Sequence, residues 1–183
     1  MKIDIARQPL VPAFMTLFAL AVAAMCAGIP VPDTSGAVRE ALPLLGGQLA
    51  RFQAAYPVWS KFAAGFMLLF AGMCTGRISI RYNLYTVGTC LPIPLYAIVA
   101  CGIATGGNYL AGFAASMLLS LATKNYCRAF CNGYGFDAIF RASLYLGLMP
   151  LIYAPALPLL LLLPLAVLLF RRTFREVVVA TAG

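Results

Sequence analysis

The sequence predicts an all-α protein: a polytopic transmembrane helical bundle of about six spans, with an interfacial amphipathic segment after the first. Three observations predict it. Of 183 residues, 63% are hydrophobic and 10% charged, where a soluble domain carries roughly 45–50% and about 25%. Apolar runs close to the ~20 residues that cross a bilayer recur along the chain. The 13 basic residues outnumber the 5 acidic ones and sit singly or in pairs between those runs, the pattern that sets topology. It is not the gathered basic face of a nucleic-acid binder.

The spans follow in order. Residues 11–29 form the first, ended by Pro30 and Pro32. Lys2 and Arg7 ahead of it and Cys26-Ala27-Gly28 behind it resemble a signal peptide. The run is longer than a signal core and further spans follow, so it reads as retained. Residues 33–57 are more polar. Val38, Ala41, Leu42, Leu45, Leu49 and Phe52 recur at three- and four-residue steps, the period of an amphipathic helix at a surface, with Pro43, Gly46 and Gly47 shortening it. Tyr56 and Trp59 then sit at the headgroup level.

The second span covers residues 58–76, followed by a short basic turn with Arg77 and Arg81. The third covers 84–104 and contains Pro92 and Pro94, which predict a kink or an unwound stretch. The fourth, 109–123, continues past Lys124 as helix emerging into water, and the glycines and asparagine around 132–135 read as a loop ending near Asp137. The last apolar stretch, 142–170, divides at Tyr153-Ala-Pro155 into arms 142–154 and 156–170, or stays one tilted span.

Charge decides between six spans and five. With six, Lys2, Arg7, Arg77, Arg81, Lys124, Arg128, Arg141, Arg171, Arg172 and Arg175 share one side, against Arg39, Arg51 and Lys61 on the other. With five, the split is seven against six. The positive-inside rule favours six, with both termini cytoplasmic. Val177–Ala180 turns apolar again and reads as the opening of a further span, so the chain reads as the N-terminal part of a longer one.

The order Tyr82-Asn-Leu-Tyr-Thr-Val-Gly88, Leu110-Ala-Gly-Phe-Ala through Lys124, Phe136-Asp-Ala-Ile-Phe140, Leu148-Met-Pro-Leu-Ile-Tyr-Ala-Pro155 and Leu169-Phe-Arg-Arg-Thr-Phe-Arg-Glu176 resembles an uncharacterised family of multi-pass inner-membrane proteins of Bacteroidota. Val177 stands where that family tends to have Trp. The resemblance covers residues 75–180 and implies a place in the bacterial inner membrane, with no settled activity.

Candidate site residues are few. The chain has no His, which removes the commonest general base and the Ser–His and Cys–His pairs. The six cysteines read as small apolar residues. Cys127 and Cys131 share a helical face, yet no acidic ligand lies in that turn, and no metal or cofactor is expected. Asp33 is a candidate catalytic carboxylate. Its place after the first span is similar to that in membrane glycosyltransferases that use lipid-phosphate sugar donors, with Arg39, Arg51 and Lys61 offsetting the phosphate. The simpler reading of Asp33-Thr-Ser-Gly36 is a turn or N-cap.

Lys124, Arg128 and Arg141 around Asp137 fit a lipid-headgroup or phosphate site, or more simply an Asp137–Arg141 pair one helical turn apart. Arg171, Arg172 and Arg175 fit an anionic-lipid site, or more simply a topology anchor. No charged residue lies at a span centre, which counts against an ion-coupled transporter. The Pro92–Pro94 break is the one transporter-like feature. Gly65, Gly72, Gly106 and Gly112 suit close helix approach and other membrane subunits as partners beside the lipid bilayer. The leading expectation is an accessory or assembly component, or part of a larger membrane protein. A glycosyltransferase relative and a transporter are the alternatives.

Overall fold

The computed structural model describes residues 10–26, 43–82, 89–104, 108–131, 135–161, 165 and 178–179. Among them are six α-helices, one 3-10 helix and no strand: α1 Leu10–Cys26, α2 Leu44–Ala55, α3 Pro57–Arg81, α4 Pro92–Ala104, α5 Tyr109–Cys131, α6 Phe136–Ile152, and the 3-10 helix Ala154–Leu161. The all-α expectation holds.

Prolines and glycines set most of the boundaries. Tyr56 ends α2 through its N–H on Phe52 O at 2.9 Å and precedes Pro57, the first residue of α3. A residue before proline is pushed out of the α region, and a proline at the first helical position loses no bond. The chain therefore bends at Tyr56, between the amphipathic segment and the second apolar run. Pro92 and Pro94 stand at the first and third positions of α4, where backbone N–H groups have no intrahelical partner to lose. Thr89–Leu91 ahead of them are not helical, and Thr89 Oγ1 accepts the Leu91 N–H at 3.1 Å. Residues 84–88 of the expected third span lie outside the described residues. Tyr153 is extended (φ −138°, ψ 99°) and ends α6, because Pro155 cannot continue the helix.

Two expected boundaries are corrected. Arg77 and Arg81 lie in the last turns of α3, not in a turn after it, because no Gly or Pro follows Gly76 until the helix has run on to Arg81. Ala129–Cys131 belong to α5, and α6 opens at Phe136, so the loop is shorter than the glycines suggested. Residues 132–134 lie outside the described residues.

Helix direction alternates. Gly65 lies against Met25, Gly72 against Leu17 and Tyr96, and Gly76 against Ile93, so α1 and α4 both run antiparallel to α3. Ser60 Oγ and Tyr109 OH are 2.6 Å apart, near the starts of α3 and α5, and the two helices run side by side in the same direction. α6 packs along α5 and returns to the end where these helices start. There α2 lies across the bundle. Its Gln53 accepts the Leu110 N–H at 3.4 Å, and its Gly46 sits against the Ile152 carbonyl. The 3-10 helix packs back on α6.

Small side chains line much of the helix contacts together with Leu68, Ile93, Leu110, Phe113 and Ile139, while many other large apolar side chains face outward. Ala13, Leu17 and Ala21 of α1 meet Ala64, Leu68 and Gly72 of α3 and Ala97 and Ala100 of α4, all buried. Ala115, Ala122 and Ala129 of α5 meet Ala138, Ile139, Leu146 and Met149 of α6. The outward stripes are Phe14, Met15, Phe18 and Val22 on α1, Phe62, Phe66, Phe70 and Met73 on α3, and Leu95, Ile98 and Val99 on α4. A water-soluble bundle places its largest apolar groups inside. Helices in lipid gain nothing by hiding them and pack instead through small residues.

Polar groups within the apolar stretches are satisfied inside the protein. Thr16, Thr75, Ser120 and Ser143 bond backbone carbonyls three or four residues earlier, and Tyr96 OH meets Ser116 Oγ at 2.9 Å. Ser60→Ala and Tyr109→Phe are each expected to cost about 1 kcal/mol, with a coupling energy near 0.5–1.5 kcal/mol in a double-mutant cycle followed by thermal melting.

α3, 25 residues long, is the one described helix long and apolar enough to cross a membrane. α1 and α6 have 17 residues each and α4 has 13, short of the ~20 that a span needs. The described residues thus do not display six helices of crossing length.

Candidate functional site: a cationic cleft

Five of the seven basic residues among those described gather at one end of the bundle. Each pair sits one helical turn apart, so each presents both members on one face. Arg77 and Arg81 close α3, and Lys124 and Arg128 lie in the second half of α5. Arg141 stands one turn into α6, with Tyr145 one turn further. Arg51 and Lys61 lie at the opposite end. No charged residue falls between Lys61 and Arg77 of α3, about 24 Å of helix.

Where α3, α5 and α6 meet, a chamber of about 350 Å³ is lined by Arg81, Tyr82, Leu121, Lys124, Asn125, Arg128, Arg141 and Tyr145. Arg81, Tyr82 and Lys124 also border a second cavity of about 800 Å³, lined otherwise by Leu10, Phe70, Met73, Cys74, Arg77, Ile78, Ile80 and Ile93. The two adjoin at these three residues and together make a cleft region, polar at the helix ends and mainly apolar along α3. Both volumes fall in the ~300–1,000 Å³ range of small-molecule sites.

Asp137 is the one carboxylate among the described residues. Its Oδ1 accepts from Arg141 Nε at 3.0 Å, with both side chains more than half exposed, as the spacing predicts. Such a pair is worth a few tenths of a kcal/mol, so it does not lock Arg141. Helix-terminus electrostatics accounts for Arg81 and Arg128 in last turns and Asp137 in a first turn. It does not account for Lys124, which lies seven residues before the end of α5. Next to Asn125, Tyr126 packs into the second core and stacks on Phe130 at 5.8 Å. Its buried hydroxyl has no hydrogen-bond partner, and burial pushes its ionisation up, so it stays neutral at ordinary pH.

Of the residues singled out by sequence, the fold brings Lys124, Arg128 and Arg141 together. Asp33, Arg39, Arg171, Arg172 and Arg175 lie outside the described residues, and Pro92 and Pro94 stand in the first turn of α4. Sequence reasoning assigned Arg77 and Arg81 to topology alone and passed over Tyr82, Asn125 and Tyr145. The four-residue spacing of 77/81 and 141/145 was the available signal; their convergence was not. Chemically, the cleft can bind and orient an anion. Compared with known protein families, curated proteins and solved structures, the chain shows no match.

Proposed function

We propose that this chain is a multi-pass integral membrane protein of the bacterial inner membrane, acting as an accessory or assembly component with its cationic end in the cytoplasm. One observation carries the reading: alanines and glycines hold many of the contacts between helices, beside larger groups such as Leu68, Ile93 and Phe113, while Phe14, Phe18, Phe62, Phe66 and Phe70 face outward. Contiguous exposed apolar side chains of this kind mark a contact with membrane or with other proteins, and in lipid they are ordinary. The alternating helix directions support several crossings, with α2 lying at the outer surface. Tyr56 and Trp59 are exposed at that end, the level where amphipathic rings collect. Five basic residues at the other end follow the positive-inside bias. The likeness to the Bacteroidota inner-membrane family points the same way. A binding role, not catalysis, suits a cleft of cations, aromatic rings and an amide, in a chain without His.

The test is labelling of intact cells with a membrane-impermeant thiol reagent, using single cysteines at positions 33, 77, 106, 132, 154 and 173 in a cysteine-free background. Labelling at 33, 106 and 154 is expected before permeabilisation, and at 77, 132 and 173 only after it. Recovery of the chain in the soluble fraction, or labelling at 77 and 132 in intact cells, would overturn the reading.

A further inference from the structure

We propose that the cleft seats one anionic glycerophospholipid, with its headgroup phosphate between Arg81 and Lys124 and its acyl chain in the cavity along α3. The inference rests on the membrane reading and adds a specific occupant. Its basis is the joining of two chemically different chambers through shared residues. Arg81, Tyr82 and Lys124 border both the smaller, cation-lined chamber and the larger, apolar one. A free anion would leave the apolar wall of the second, formed by Phe70, Met73, Ile78 and Ile93, without a partner, and a neutral hydrocarbon would leave the cations of both without one. An amphiphile with a negative head fills both.

Charge complementarity sets the sign. Arg81, Lys124 and Arg128 face the smaller chamber from two helices, while Asp137, the one carboxylate among the described residues, is taken by Arg141. Guanidinium forks suit phosphate oxygens, and an ammonium adds a movable point charge. Tyr82 and Tyr145, in the same wall, offer hydroxyl donors and ring faces. Basic residues that only anchor topology need not converge. Here they close on a shared volume from α3, α5 and α6, and behind Arg81, Tyr82 and Lys124 the adjoining cavity is lined by Phe70, Met73 and Ile93.

The experiment is native mass spectrometry of the full purified chain in mild detergent, titrated with dioleoyl phosphatidylglycerol or dioleoyl phosphatidylcholine. The first phosphatidylglycerol adduct is expected to be at least tenfold tighter than the phosphatidylcholine adduct, a comparison that needs no variant. Arg81→Gln with Lys124→Gln should bring the two lipids level, while Arg51→Gln with Lys61→Gln, at the opposite end, should leave the preference intact. Arg81→Lys with Lys124→Arg should retain the preference. Met73→Trp, which fills the apolar cavity, should weaken phosphatidylglycerol binding several-fold.

Equal binding of the two lipids by the unaltered chain would overturn the proposal. So would an equal loss from the opposite-end variant. Full displacement of the adduct by millimolar inorganic phosphate would assign the cleft to a free anion and overturn the lipid. Lost selectivity with the cysteine-labelling pattern intact rejects the lipid site alone; a soluble, fully labelled chain rejects the membrane reading itself.

Discussion

Replacing Gly72 by leucine is expected to destabilise the protein by about 3 kcal/mol, the upper part of the usual range for overpacking. The position lies at the meeting of three helices. A Cβ there would come within 2.8 Å of Leu17 Cδ1 and 3.3 Å of Tyr96 Cδ1. Leu17 is fully buried and cannot swing outward without opening the contact between α1 and α3. Tyr96 is held by Ser116, so a shift of its ring also strains a bond to α5. Thermal unfolding in detergent, followed by circular dichroism, should show the loss as a clear fall in melting temperature. Gly102→Ala is the control: a Cβ there meets nothing within 4 Å, and the variant should be neutral or slightly more stable. Equal melting of the two variants would mean that α1, α3 and α4 do not meet at Gly72.

The second large effect is expected at Gly46. A side chain there would collide with the backbone carbonyl oxygen of Ile152. A carbonyl in the last turn of α6 cannot rotate away as a side chain tip can, so α2 must lift off the bundle. Lifting α2 also withdraws Gln53, which is 5% exposed and accepts the Leu110 N–H at the start of α5. A buried donor left without its acceptor costs about 1–3 kcal/mol. Gly46→Val should therefore lose about 2–4 kcal/mol in all, and it should expose Gln53 to proteolysis or to a thiol probe placed at that position. Full stability with Gln53 still protected would show that α2 does not rest on α6. The two variants separate the central packing from the cap: Gly72→Leu should leave Gln53 protected until the whole bundle melts.

The proposed lipid cleft lies at the far end from Gly46, whereas Gly72 stands beside Phe70 and Met73 of its apolar cavity. Gly46→Val should therefore leave lipid preference unchanged in material that remains folded. Distant sites without shared partners behave additively to within a few tenths of a kcal/mol.

Much of the local structure was legible in the residues. The apolar runs marked α1, α3, α5 and α6, and the three- and four-residue steps of Leu45, Leu49 and Phe52 marked α2, because helical periodicity is a property of the chain itself. Tyr153-Ala-Pro155 marked the end of α6, and the spacing of Asp137 and Arg141 marked their ion pair, since both depend only on nearby residues. The end of α3 was less legible. Arg77 and Arg81 looked like a turn because charge was read as a boundary, yet long basic side chains extend to water from a helix that continues beneath them.

The residues alone thus determined an all-α chain, several helix ends such as the starts of α1, α3 and α5 and the break at Tyr153, the separation of basic residues toward one end, and the lack of histidine chemistry. These follow from local backbone preferences and from the alternation of apolar and charged segments. Only the tertiary structure decided which faces meet. Many alanines turn inward while Phe14, Phe18, Phe62, Phe66 and Phe70 turn outward and Phe113 inward, a choice that hydropathy does not register because it scores all of them as apolar. The tertiary structure also decided that Arg81, Lys124, Arg128 and Arg141, up to 60 positions apart in the chain, close around one volume beside an apolar cavity. Convergence of that kind depends on the directions and crossings of α3, α5 and α6, which are set by packing between helices and not by the order of residues within any one of them.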